Sequence, residues 1–195
     1  MKVFPVALVV ENRRVLVVGG GAVAARKVAA LLEAGAIVTV VSPELASDFP
    51  AVAHHQSRSF EAGDCEGFAL VFAATNSREV NRAVAEDARA RHIPVNDASA
   101  PHGSDFHTQA IVRRGPVCIG ISTGGLSPVV SSRLKRSVES AIGPEWEELF
   151  ALVEEIGEPE TAKRGEFWRA VLQSKALELL REGKWDEAKR EIVSE

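Results

Sequence analysis

The stretch Arg14-Val-Leu-Val-Val-Gly19-Gly20-Gly21-Ala22-Val23-Ala24 decides the fold. An uninterrupted, mostly β-branched apolar run suits a strand buried on both faces, and the glycines end it. Residues 22–34 then read as a helix, with Val28, Leu31 and Leu32 at helical spacing and Gly35 placed to stop it. Residues 37–41 form a second β-branched run, so 14–41 is one βαβ unit. Its turn has the GxGxxA spacing of a dinucleotide cradle. The first glycine makes the tight turn, the second lets a pyrophosphate approach the backbone, and the small third residue allows close helix–strand packing. The helix N-terminus offers unpaired N–H groups and partial positive charge to the phosphates. Gly19, Gly21, Ala22 and Val23 are therefore candidate cofactor contacts.

The alternation continues outward. Residues 68–74 read as a strand, 78–90 as a helix, 93–95 as a short strand and 54–60 as a weaker one. Strands alternating with helices of this length predict an α/β, Rossmann-like parallel sheet with covering helices. Residues 117–122 are a further strand and 128–142 a basic amphipathic helix. Helices are expected over 165–182 and 184–194 as well as 145–156. The expected divisions are 1–110 for the dinucleotide-binding domain, 111–144 for a linking segment and 145–195 for a small all-helical domain.

Composition bounds the function. The 195 residues are 46% hydrophobic and 26% charged, within the globular range and without repeats or low-complexity tracts. Cys65 and Cys118 have no CxxC or Cys/His ligand spacing, so no disulfide framework or metal site is expected, and a reducing cytoplasm is. Pro5 interrupts the apolar N-terminal run, and no stretch approaches the ~18 residues that span a bilayer, so neither export nor membrane insertion is expected. The net charge of −4 argues against nucleic acid as a partner but hides a gradient. Residues 1–144 carry 15 Lys and Arg against 13 Asp and Glu, whereas 145–195 carry 8 against 14, together with all three tryptophans.

Further site candidates lie at strand ends. The usual acidic ribose ligand ~20 residues after the glycines is missing, because the second strand runs into Ser42-Pro43-Glu44. That turn is expected to meet the ribose, and the lack of an arginine there favours NAD over NADP. Thr75 and Asn76 end the strand at Ala73-Ala74, either lining the nicotinamide side or, with Ser77, capping the next helix. Residues 120–128, Gly-Ile-Ser-Thr-Gly-Gly-Leu-Ser-Pro, lead into a helix with Arg133, Lys135 and Arg136. With Arg113 and Arg114 these make five basic side chains over 106–144 against Glu139 alone, a bias suited to a polyanionic substrate.

Taken in order, these motifs resemble the precorrin-2 dehydrogenase family, including the dehydrogenase/ferrochelatase module of siroheme synthases. The matching pieces are Phe4-Pro5-Val6, residues 17–27, 32–36 and 73–75, Ala110-Ile-Val-Arg-Arg-Gly115 and residues 121–128. The resemblance implies NAD-dependent oxidation of precorrin-2, an octacarboxylate, to sirohydrochlorin in siroheme biosynthesis. It also implies a homodimer whose 111–144 segment helps form the interface. The implied substrate contacts are Arg113, Arg114, Ser122, Thr123, Gly124, Ser127 and Arg133. Some members insert Fe2+ as well, so a bifunctional enzyme or a chelatase is an alternative, as is a non-catalytic tetrapyrrole-binding protein. Alignment on Asn96 and Pro101 puts Ser99 where the family has its catalytic aspartate. Serine is a poor general base. Asp97, two residues away on the same face of an extended segment, and Asp105 are the candidate replacements. Each also has a bland reading, Asp97 as a turn residue bonding its own backbone and Asp105 as an Asx-type cap.

Overall fold

The computed structural model describes residues 2–52 and 54–193, and the chain divides into two compact units, Val3–Thr108 and a second from Gln109 onward. In the first unit, β1 (Arg14–Val18), α1 (Ala22–Glu33) and β2 (Ile37–Val41) are the βαβ unit expected from the sequence. β3 (His54–Gln56), β4 (Leu70–Ala73), α2 (Arg78–Ala90) and β5 (Val95–Asp97) follow. The five strands are all parallel, in the order β3-β2-β1-β4-β5. The order reverses between β1 and β4, which creates the crevice at the strands' carboxyl ends where ligands of open α/β sheets bind.

Both sheet faces are covered. Val15, Val17, Val38, Val40, Leu70 and Phe72 pack with Ala24, Val28 and Leu31 of α1, whereas Leu16, Val18, Val71, Ala73 and Val95 pack with Val84, Ala85 and Ala88 of α2. This double burial is why the strands are continuously apolar rather than alternating. Each buried valine or leucine contributes about 1.5–3 kcal/mol relative to exposure. Gly35 follows α1 at φ +76°, the left-handed geometry expected of it.

The second unit opens with an antiparallel hairpin, β6 (Ala110–Arg114) and β7 (Val117–Ile121), and α3 (Pro128–Ala141). The first hairpin strand was not expected, because Arg113 and Arg114 mask its short apolar core. α4 (Glu145–Ile156) has the expected bounds. The single helix expected over 165–182 is instead two, α5 (Arg164–Gln173) and α6 (Ala176–Arg181). Ser174 makes the break: its Oγ donates to the Val171 carbonyl and accepts the Ala176 N–H, replacing helical bonds with a local turn. α7 (Trp185–Val193) ends the described chain, and the expected end at Ser194 lies outside it. Leu149, Leu152, Val153, Val171, Leu180 and Ile192 form this unit's core, flanked by Trp146, Trp168 and Trp185. No described helix is long and apolar enough to cross a membrane.

Candidate functional site

Four strands deliver their carboxyl ends, and the residues after them, to one edge of the sheet. After β1, Gly19 has φ +125°, and a Cβ there would run into the Ala74 carbonyl that follows β4, so a side chain is excluded twice over. A Cβ on Gly20 would meet the Glu44 carbonyl after β2, and the Ala46 N–H donates to the Gly20 carbonyl at 2.8 Å. The third glycine differs. Gly21 is the N-cap of α1, with extended backbone, and a Cβ there would find nothing within 4 Å. No side chain caps this helix. Open space over an uncapped helix N-terminus, beside Ala22 and Val23, is the geometry a pyrophosphate requires.

The turn after β2 is closed by its own side chain: the buried Ser42 hydroxyl donates to the Glu44 carbonyl at 2.7 Å. Pro43 and Glu44 are exposed, and the Pro43 carbonyl accepts the Ser57 hydroxyl at 2.9 Å. After β4, Thr75 is held by Asn81, which the sequence reading did not single out. Asn81 accepts the Thr75 N–H and hydroxyl at 3.0 and 2.7 Å and donates to the Thr75 carbonyl at 3.1 Å. Ser77, not Asn76, caps α2, accepting the Val80 N–H, and Asn76 is exposed. The available signal for Asn81 was its position in line with Val84, Ala85 and Ala88, an amide on the apolar stripe of α2.

After β5 the expected strand over 93–95 is displaced to Val95–Asp97, because pairing with β4 overrides the low strand preference of Asn96 and Asp97. Asp97 and Ser99 are brought together. Asp97 Oδ1 accepts the Ser99 hydroxyl at 2.7 Å, the Ser99 N–H at 2.8 Å and the Ala100 N–H at 3.2 Å. Asp105 is occupied at the opposite end of β5, where its Oδ2 accepts the Val95 N–H at 2.9 Å. A second unanticipated residue is Lys27, whose Nζ donates to Asn96 Oδ1 at 2.8 Å and sits 5.0 Å from the Phe72 ring centroid. Burial, with the charge of Arg26 second, lowers its pKa to about 8.

In the second unit, Arg114 caps the end of α3, donating to the Ile142 carbonyl at 2.9 Å and to the Glu139 carbonyl at 3.4 Å. Ser122 accepts the Gly124 N–H at 3.2 Å, and Thr123 accepts the Ser127 N–H at 3.4 Å, shaping the turn before α3. Arg113 and Arg133 are exposed. Among the described residues no group of His, Cys, Asp and Glu is arranged to hold a metal ion.

The doubly covered parallel sheet, with a glycine turn at its switch point, defines a dinucleotide-binding α/β protein. The chain belongs to the family named "Putative NAD(P)-binding", whose profile matches residues 6–110. Residues 157–195 match the sirohaem synthase dimerisation region. Its relatives include the siroheme synthase of Methylococcus capsulatus, 38% identical over 99% of this chain and 43% of that protein. Another is the siroheme synthase of Thioalkalivibrio sulfidiphilus, 38% identical over 98% and 42%. The chain thus spans less than half the length of these curated relatives. Among solved structures, SirC, a precorrin-2 dehydrogenase, superposes with a TM-score of 0.77 at 23% identity, covering 99% of this chain and all of that one. The two share a fold.

Proposed function

We propose that this chain oxidises precorrin-2 to sirohydrochlorin with NAD+ as hydride acceptor. The observation that carries the reading is the single sheet edge on which Gly21, the turn at 42–44, Thr75 and Asp97 all fall. Relatives named siroheme synthase and the fold shared with a precorrin-2 dehydrogenase supply the substrate.

The residues present fit a dinucleotide. Gly19, Gly21, Ala22 and Val23 would hold the pyrophosphate, Ser42–Glu44 the adenosine ribose, and Thr75 and Asn76 the nicotinamide side. The exposed Glu44 carboxylate suits a ribose hydroxyl and opposes a 2′-phosphate, which favours NAD over NADP. Held there, the cofactor would supply a hydride acceptor for the tetrapyrrole. Asp97 accepts the accompanying proton, with Ser99 orienting its carboxylate through Oδ1. Asp105 is the second choice, because it is held at the amino end of β5, away from the strands' carboxyl ends. Arg113, Arg114 and Arg133 supply positive charge for the substrate carboxylates, and the turn of Ser122, Thr123, Gly124 and Ser127 supplies polar contacts.

We further propose a homodimer. No side chain of α3 is buried, and Val129, Val130 and Leu134, with Leu126 before them, stand exposed at helical spacing. The match to a dimerisation region at 157–195 supports the same assembly. The free thiols of Cys65 and Cys118 suit a cytoplasmic setting.

The test is an anaerobic assay with precorrin-2 and NAD+, following absorbance at 340 nm and the tetrapyrrole spectrum together. NADH and sirohydrochlorin should rise in step, faster with NAD+ than with NADP+. Absence of both signals overturns the dehydrogenase reading.

A further inference from the structure

We propose that Lys27 is a positioning residue, tying the helix that rises from the glycine turn to the neck of the loop that carries Asp97 and Ser99. The inference rests on the dehydrogenase reading above and adds to it a residue outside the expected site.

The geometry is a three-element knot. Lys27 lies on the inward side of α1, one turn after Ala24 and one before Leu31, both buried. From there its ammonium reaches Asn96 Oδ1 at 2.8 Å. The opposite end of the same amide donates to the Phe106 carbonyl at 2.8 Å. Lysine can only donate and a carbonyl can only accept, so the Asn96 amide has one permitted orientation. Phe72, beside Asn96 in the β4–β5 register, receives the ammonium over its face and meets the Phe106 ring in a T-shaped contact with centroids 5.2 Å apart. The ammonium is thus engaged by an amide oxygen and a ring face together.

Asn96 and Phe106 are the two sides of a neck. Beside them Val95 and Asp105 exchange hydrogen bonds at 2.9 Å, and the Asp97 N–H donates to Ser104 Oγ at 2.9 Å. Successive strand residues face opposite sides, so the residue that fixes Asn96 against α1 also fixes the direction in which Asp97 leaves the strand. A lysine that only shielded apolar surface would keep its head in water. Lys27 is half-buried, with its head on a buried amide.

The experiment uses the full chain with Lys27→Met, which keeps the stem and removes the donor, and Lys27→Arg, which keeps a donor. Hydrogen exchange at the amides of residues 97–104 is read first, because it does not depend on any reaction. Lys27→Met should speed exchange there by roughly tenfold, the equivalent of ~1.4 kcal/mol, and Lys27→Arg should restore most of the protection. In the precorrin-2 assay, Lys27→Met should lower kcat by a similar factor and leave the KM for NAD+ unchanged. Combined with Asn96→Ala it should add little further loss. Unchanged exchange at 97–104 overturns the proposal, as does a raised KM with kcat intact. If Lys27→Met does not fold, wild-type exchange and kcat in Asn96→Ala overturn it. Should wild-type chain form no NADH while exchange responds to Lys27, the dehydrogenase reading fails and the tie between helix and loop stands.

Discussion

Asn81 grips Thr75 with three hydrogen bonds, taking up its N–H, its hydroxyl and its carbonyl, from a position on α2 with no solvent exposure. A buried amide thereby sets the turn in which β4 meets the ligand crevice. Asn81→Leu keeps the side chain's size and strands these partners, so it should destabilise the chain by about 1–3 kcal/mol and raise the KM for NAD+. Urea denaturation checks the first effect. An unchanged midpoint would show that the turn is held by other means.

The neighbouring glycines should separate folding from binding. Gly21→Val places its side chain in open space on extended backbone, so the melting temperature should hold while NAD+ affinity falls about tenfold or more, ~1.4 kcal/mol. Gly20→Ala drives a Cβ into the Glu44 carbonyl and should itself destabilise the fold by about 1–3 kcal/mol. Calorimetric titration beside thermal melts distinguishes them. Undiminished affinity in Gly21→Val would move the pyrophosphate elsewhere.

Asp97→Asn retains an oxygen for the turn with Ser99 and Ala100 while removing the proposed proton acceptor. Turnover should fall by at least tenfold, a positioned general base contributing typically ~10²–10⁴-fold, with NAD+ affinity unchanged. Wild-type turnover in this variant would pass the role to Asp105.

Charges on the apolar stripe of α3 should dissociate the proposed homodimer. Val130→Glu with Leu134→Glu is expected to give monomers by light scattering at concentrations where the wild type is dimeric, without loss of helix content. A persistent dimer would assign the interface to residues 157–195 alone.

The ion pair between Glu145 and Arg181, 2.8 Å long, should make the second unit acid-sensitive. Burial alone would raise the Glu145 pKa, but hydrogen bonds from Arg181 and the backbone outweigh it and hold the carboxyl below its ordinary 4.5. A depressed folded value stabilises above 4.5, and that stability is lost as pH falls through it. Arg181→Met should therefore cost about 1–3 kcal/mol at pH 7, and the gap to wild type should close in acid. Trp146, Trp168 and Trp185 report it by fluorescence. A pH-independent gap would show that the guanidinium acts through packing.

What could be read in the sequence were the features set by local pattern. The run 14–18, the glycines and the β-branched run 37–41 specified a βαβ unit because buried parallel strands and glycine turns are local chemistry. The bounds of α2 followed from its amphipathic period. The division at Ser174 was invisible because no Gly or Pro marks it; a hydroxyl rebonding its own backbone does the work. Lys27 and Asn81 were missed for another reason: each acts on a residue on another element, and Asn96 is 69 positions from Lys27.

The loop from Asp97 to Phe106 has one more consequence. β5 is the last strand of the sheet, and its outward groups are taken: Asp105 and Ser104 accept the Val95 and Asp97 N–H groups, and the Val95 carbonyl accepts the Asp105 N–H. At the far side β3 is only three residues long. A sheet sealed on one border and truncated on the other offers little template for a stray strand. The segment that bears the candidate proton acceptor is thus also a guard against aggregation, and variants that loosen it should be watched for insolubility as well as for lost turnover.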